Sequence, residues 1–287
     1  ICVHGRNGYM SDEVLTAALH WPQNNAQVFK QLAFAAEVYL PPLKGAFPAG
    51  LSDLASCTRL RVQGRHKSAD NVDELARMPK LHTLEYWCMP ARLDLLAPLQ
   101  DTLRGFEFRG QASQLTTAEE LGRFRKLEVL SMGNTQATDL SPLAGLPLRR
   151  LAINEVPVTD LGFLETLRGL DHLNLQRVPA TDFSPLRALT NLGSGLDLGF
   201  CKMTDLSLLE GMQSLRSLSF WGQSLDLASL PVLASLESLN MPHCRVEDLL
   251  PLTRQPKLRS ISATRLAATP EAVAAFRAAA GHIHLHV

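Results

Sequence analysis

The sequence predicts an α/β solenoid in which short parallel strands stack and each is followed by a short helical turn. Three observations carry this. Apolar-x-apolar strand cores return about every 22 residues, an Asp stands before an apolar residue at a steady offset after several of them, and both ends carry helical segments unlike the repeats between them. Self-similarity at such a period marks a repeat architecture.

At the N-terminal end, Ser11-Asp-Glu-Val-Leu-Thr-Ala-Ala-Leu19 predicts a helix with Ser11 as N-cap and acids in its first turn. Residues 25–36 form a second amphipathic candidate. Together residues 1–36 read as a helical cap over the open end of a repeat array.

The array is expected over 37–268. Its clearest strands are Leu127-Glu-Val-Leu130-Ser-Met132, Leu170-Asp-His-Leu173-Asn-Leu175, Leu215-Arg-Ser-Leu218-Ser-Phe220 and Leu236-Glu-Ser-Leu239-Asn-Met241. Taking the first apolar residue of each core gives Val38, Leu60, Leu84, Phe106, Leu130, Leu151, Leu173, Leu196, Leu218, Leu239, Ile261 and Ile283, twelve strands at intervals of 21 to 24 residues. Each strand is too short to stand alone and offers one apolar face, so only stacking on its neighbours buries a continuous core.

The return path follows from Asp139, Asp160, Asp182, Asp205 and Asp248. Asp caps a helical turn because its carboxylate accepts from the free N–H groups there. In Thr138 to Leu143 and Thr181 to Leu186 a Pro then falls in the first turn, where its missing N–H does little harm. Such turns are wider than strands, which predicts a curved horseshoe with the parallel sheet on its concave face and short 3₁₀ or α segments on its convex face. At the C-terminal end, residues 269–287, Thr269 as N-cap, Pro270 at the first helical position and Gly281 as stop predict a true helix, followed by a closing strand.

At these residues the chain resembles the leucine-rich-repeat family, and in particular the short bacterial repeats of the internalins, which share the phrase Thr-Asp-Leu-Ser-Pro-Leu. The resemblance is strongest from Leu127 to Leu252 and looser before about residue 120. It implies a leucine-rich-repeat solenoid that recognises protein on its concave face. One position departs from the family, whose turn commonly holds an Asn. Here that column reads Arg65, Met89, Gln111, Thr135, Val156, Val178, Cys201, Gln223, Cys244 and Leu266. Val and Leu side chains form no hydrogen bonds, so the turns are expected to be satisfied by backbone bonds or water.

With 287 residues and 46% hydrophobic content the chain can bury a large core. Its 28 basic and 28 acidic residues give zero net charge, which argues against a nucleic-acid or anionic-membrane binder. No apolar run is long enough to cross a bilayer. The chain is expected to be a monomer without a cofactor. Cys2, Cys57, Cys88, Cys201 and Cys244 form no C-x-x-C pair. They read as small buried residues, in keeping with a reducing compartment. A first residue that is not Met suggests a fragment, which admits the targeting part of a larger bacterial, host-directed effector.

Two constellations bear on catalysis or metal. His282, His284 and His286 alternate on the last strand and share one face, but same-face neighbours lie nearly 7 Å apart and no Cys or carboxylate adds a ligand; they read as solvent-facing polar residues. His4-Gly-Arg-Asn-Gly8 resembles the His-Gly turn of α/β-hydrolases, yet no Gly-x-Ser-x-Gly elbow follows. No enzyme is expected.

The working residues are those that alternate with the buried ones. On the concave columns stand Trp87, Arg109, Arg150, Asn154, His172, Asn174, Gln176, Asp197 and Trp221, with Gly133, Gly195 and Gly199 leaving the floor shallow. Trp and Arg are common interface anchors, so these nine residues are the expected partner-binding set. Arg59, Arg61, Glu85 and Glu107 read instead as charges that pair across strands.

Overall fold

The structure, a computed structural model, describes residues 3–4, 37–40, 50–62, 73–86, 93–113, 115–116 and 118–287, without the side chains of 3–4 and 109–113. The expected helices over 11–19 and 25–36, the turn at 5–8, Trp87, Cys2 and Cys88 lie outside the described residues. The chain divides into two compact units, residues 1–136 and 137–287.

In the first unit, β1 (Val3–His4) runs antiparallel to β2 (Glu37–Leu40). Then β2, β3 (Arg59–Val62), β4 (Thr83–Tyr86), β5 (Gly105–Ser113) and β6 (Val129–Thr135) pair in parallel and in chain order. Register places Val38, Leu60, Leu84, Phe106 and Leu130 in one row, none more than 1% exposed. Chain returns pass through 3₁₀ turns at Leu51–Asp53, Leu93–Leu99 and Leu121–Arg123, and through the short helix α1 (Asp73–Ala76). Of the charges expected to pair across strands on the other sheet face, Arg61 and Glu85 do so, and Arg59 pairs with Glu37. Arg61 bonds Glu85 and lies over the Tyr39 ring, 5.1 Å from its centroid, and Arg59 is 3.9 Å from Glu37.

The second unit repeats the plan with shorter strands. Here β7 (Arg150–Ala152), β8 (His172–Asn174), β9 (Gly195–Asp197), β10 (Ser217–Ser219), β12 (Ser238–Asn240), β14 (Ser260–Ser262) and β15 (His284–His286) form a parallel ladder. Strands β11 (Ser224–Leu225) and β13 (Arg245–Val246) make a separate two-stranded parallel pair in the turns. Six 3₁₀ turns lead back, at Ser141–Leu143, Gly162–Thr166, Ser184–Ala188, Leu206–Leu209, Leu227–Ser229 and Leu250–Arg254.

Each expected Asp bonds the N–H two residues on. Asp139, Asp160, Asp182, Asp205 and Asp248 accept from Ser141, Gly162, Ser184, Ser207 and Leu250 at 2.8 to 2.9 Å, and Asp226, not anticipated, accepts from Ala228 at 3.0 Å. Helix α2 (Pro270–Ala279) begins as expected, Thr269 Oγ1 accepting from Ala272 N at 3.1 Å. Gly281 is not in the left-handed region and Ala280 caps the end.

One expectation about register changes. Leu285, not Ile283, pairs with Ile261, and His284 and His286 pair with Ser260 and Ser262. The ten-residue helix α2 is longer than the 3₁₀ turns of the other repeats, so the last strand enters two residues late. Ile283, whose N–H bonds Ala280, instead stays buried at the strand entry. A slip of two preserves side-chain alternation, and His284 and His286 remain exposed.

The turns need no Asn because the backbone ladder runs on past the strands. Glu155, Arg177, Phe200, Gly222 and His243 donate their N–H to Gln176, Gly199, Trp221, Pro242 and Thr264 carbonyls of the following repeat, at 2.8 to 3.1 Å. To aim these N–H groups the chain turns left-handed at one equivalent residue in seven successive repeats. Asn134, Glu155, Arg177, Phe200, Gly222, His243 and Arg265 all have φ between 56° and 62°. Only one of the seven is glycine. Side chains of the next residue fill the space behind: Val156 and Val178 are buried, and the buried Cys201 thiol donates to the Leu175 carbonyl at 3.1 Å. Burial pushes the Cys201 thiol up to about 11 and that of Cys57 to about 12, so neither ionises near neutral pH. Among the described residues Cys57, Cys201 and Cys244 are free and buried, as expected.

Two predictions concern stability. Bonds from Ser141, Ser184 and Ser207 hold the Asp139, Asp182 and Asp205 carboxyls below their usual range. A depressed folded value means stabilisation that is present above the unfolded pKa of about 3.9 and is lost as pH falls through the lower folded value. Thermal unfolding of an Asp139→Ala/Asp182→Ala/Asp205→Ala variant should therefore trail the parent at pH 7, with the gap closing below about pH 4; an equal gap at pH 3 would contradict the role of the carboxylates. A Cβ on Gly222 would stand 2.5 Å from Phe200 Cε1. Chemical denaturation should show Gly222→Ala costing about 1 to 2 kcal/mol, and less in a Phe200→Ala background; additivity would show that the ring contact is not involved.

Candidate binding face

The site set is split by the structure. Trp87 lies outside the described residues, and Arg109 is placed on β5 by its backbone alone, in register with Gly133. The other seven expected residues all belong to the second unit. They come together on the solvent face of β7 to β10 and the turns that follow those strands.

Alternation places them. Leu151, Leu173, Leu196 and Leu218 point into the core at 0 to 2% exposure, so Arg150 and His172 before them, and Asn174 and Asp197 after them, point outward. Asn154, Gln176 and Trp221 stand two positions further on and are half-buried. Arg150 and His172 are directly paired across β7 and β8, as are Asn174 and Asp197 across β8 and β9.

Some of these side chains also brace their own strands. Asn174 Oδ1 accepts from Gln176 N at 2.9 Å and Asp197 Oδ1 from Gly199 N at 2.8 Å. The Asn174 amide nitrogen, the Asn154 and Gln176 amides and the Arg150 guanidinium make no side-chain hydrogen bond or ion pair among the described residues. These are uncommitted polar groups on one exposed patch.

Electrostatics there are set by burial. His172 is held below the ordinary imidazole range, first by its burial and then by the charge of Arg150, with Asp171 and Asp197 opposing. Asp197 is held above the ordinary carboxyl range by burial, against its bond from Gly199 and the attraction of His172. Desolvation outweighs the attraction between this pair, so the two do not behave as a strong ion pair.

Two of the three glycines expected to leave the floor shallow, Gly195 and Gly199, have neighbours packed close against them. A Cβ on Gly195 would lie 3.1 Å from His172 Nδ1, and one on Gly199 3.1 Å from Trp221 Cβ and 3.2 Å from Gln176 Cγ. Their neighbours already close over them. Gly195 and Gly199 therefore seat His172 and Trp221 close to the sheet.

Phe200 was not foreseen. Held left-handed, it is 40% exposed, and its ring lies 6.1 Å from that of Trp221 at 53°. Arg177 sits over the Phe200 ring, 4.7 Å from its centroid, and is itself fixed by Glu155 at 2.5 Å. Gly222 makes room for the ring, as its clash with an added Cβ shows. The available signal was the aligned column Glu155, Arg177, Phe200, Gly222, in which a lone glycine follows an exposed aromatic. Among the described residues no group of three His, Cys, Asp or Glu gathers as a metal would require, and no helix is long and apolar enough to cross a membrane.

No family model and no curated protein sequence matches the chain. Solved structures do. An internalin from Listeria monocytogenes is similar over 96% of this chain and 89% of its own, with a TM-score of 0.65 and 16% identity. A leucine-rich-repeat protein of Leptospira interrogans matches over 90% of this chain and 91% of its own (TM-score 0.51, 13% identity). The leucine-rich-repeat ectodomain of the Arabidopsis thaliana receptor kinase GASSHO1/SCHENGEN3, solved in complex with CASPARIAN STRIP INTEGRITY FACTOR 2, matches over 88% of this chain but 35% of its own (TM-score 0.56, 16% identity). With its parallel ladder of short strands, its 3₁₀ returns and these structural neighbours, the chain is by fold a leucine-rich-repeat protein.

Proposed function

We propose that this chain is a non-catalytic recognition module that binds a protein or peptide on the solvent face of β7 to β10. The observation that carries the reading is the patch itself: Arg150, Asn154, Asn174 and Gln176 hold polar groups with no internal partner, beside the exposed Phe200 and the half-buried Trp221. Polar groups committed to no fold contact are free to satisfy a partner, and Trp and Arg supply most of the energy where interfaces have been dissected. Fold supports the same reading, since leucine-rich repeats keep their scaffold residues inside and vary the outward ones. The plant receptor ectodomain carries a bound partner in its structure. A second reading, the recognition part of a larger bacterial effector, draws on the likeness to the internalin. A catalytic domain in the same reading frame would establish it, and a frame without one would remove it.

The test is differential capture. Partners should be recovered by the parent chain, and their affinity should fall at least tenfold for Trp221→Ala, in keeping with the size of interface anchors. The melting temperature should move by no more than about 2 °C. Val232→Asp, at an exposed residue off the sheet, should bind as the parent does. A partner whose affinity is indifferent to Trp221 and Arg150 would refute the assignment of this face.

A further inference from the structure

The charges on the face are not evenly spread, and their order restricts the partner. At the β7–β8 end stands Arg150, exposed and without a carboxylate partner among the described residues, with His172 beside it and the free amide of Asn174 next in line. The neighbouring carboxylate Asp171 is engaged by the Ser194 N–H and hydroxyl, and Glu155 by Arg177. Uncancelled positive charge therefore sits at this end. One strand further Asp197, half-buried, is the only acid on the outward columns of β7 to β10. Beyond it come Ser217, Ser219, Ser238, Asn240, Ser260 and Ser262, an uncharged stretch bordered by Trp221 and Phe200.

Resting on the function proposed above, we infer that the occupant is an extended segment of a partner protein that places an acidic side chain on Arg150 and a large apolar side chain against Trp221 and Phe200. Charge complementarity selects the acid: a carboxylate accepts two parallel N–H bonds from a guanidinium, and Asn174 on the adjacent strand offers a further donor. Asp197 excludes a second acid from the middle of the segment by like-charge repulsion. Three strand steps from β7 to β10 span about 14 Å, and because Arg150 is level with Ser217 the offset to Trp221 adds about 13 Å along the strand, so the anchors lie about 19 Å apart, which an extended chain covers in about six residues. Between the two anchors, the amides of Asn174 and Gln176 can meet the partner's backbone N–H and C=O groups.

A phage-displayed random nonapeptide library, selected on the intact chain, tests this. Enriched peptides should carry Asp or Glu five to seven residues from Trp, Phe, Leu or Met and lose at least tenfold in affinity for Arg150→Ala. An Arg150→Glu variant, verified as folded by its melting curve, should prefer the same peptides with Lys in place of the acid. Peptides that need Trp221 but show no acidic preference and ignore Arg150→Glu would overturn this inference while leaving the recognition face standing. If no enriched peptide depends on Trp221, the proposed face fails and this inference with it.

Discussion

The backbone ladder between successive repeats is the constraint on which the rest of the structure depends. Three-residue strands such as β7 and β8 offer few bonds of their own, so the ladder is prolonged into the turn by N–H groups at Glu155, Arg177, Phe200, Gly222 and His243. Each of those five residues is left-handed, four of them without glycine, and Asn134 and Arg265 share the conformation. Such a conformation costs on the order of 1 kcal/mol or more per residue and persists only where the surroundings over-determine it. Here they do: one flank is tied by the ladder and the other by the buried rows of Leu151, Leu173, Leu196 and Leu218. The rows are thus a consequence of register as much as its cause.

The same constraint shapes the surface. Fixing the left-handed residue swings Phe200 outward beside Trp221 and brings Arg177 over its ring, while Glu155 holds Arg177 from the repeat before. On the sheet, Asn174 and Asp197 spend one oxygen each on their own strand ends, at Gln176 and Gly199. What remains uncommitted is a small set of donors around Arg150 and an aromatic pair two and three strands away. Scaffold demands remove most polar groups from consideration, and the remainder is where a partner can gain.

Much of the fold was legible because its signals are periodic. Buried leucines, Asp caps and the Thr269–Pro270 helix start all act through local chemistry, and each reappears in the structure. The last strand was misplaced by two residues because Ile283 and Leu285 are equally apolar and only the length of α2 decides between them. The left-handed column was missed because Asn134, Glu155, Arg177, Phe200, His243 and Arg265 share no side-chain chemistry; geometry, not composition, makes them equivalent. Sequence marked Gly195 and Gly199 as places where the floor is shallow, but not that His172 and Trp221 settle against them. Outward residues were identifiable by alternation, but which of them stayed free of internal bonds could be read only from the hydrogen-bond network.

The central claim, that recognition uses the exposed face of β7 to β10, is tested most directly by hydroxyl-radical footprinting of the chain with and without a captured partner. Protection is predicted at Trp221, Phe200 and His172, with unchanged labelling of Val232 and Leu250, which are exposed off the sheet. Protection confined to Val232 and Leu250, with Trp221, Phe200 and His172 labelled as in the free chain, would contradict it.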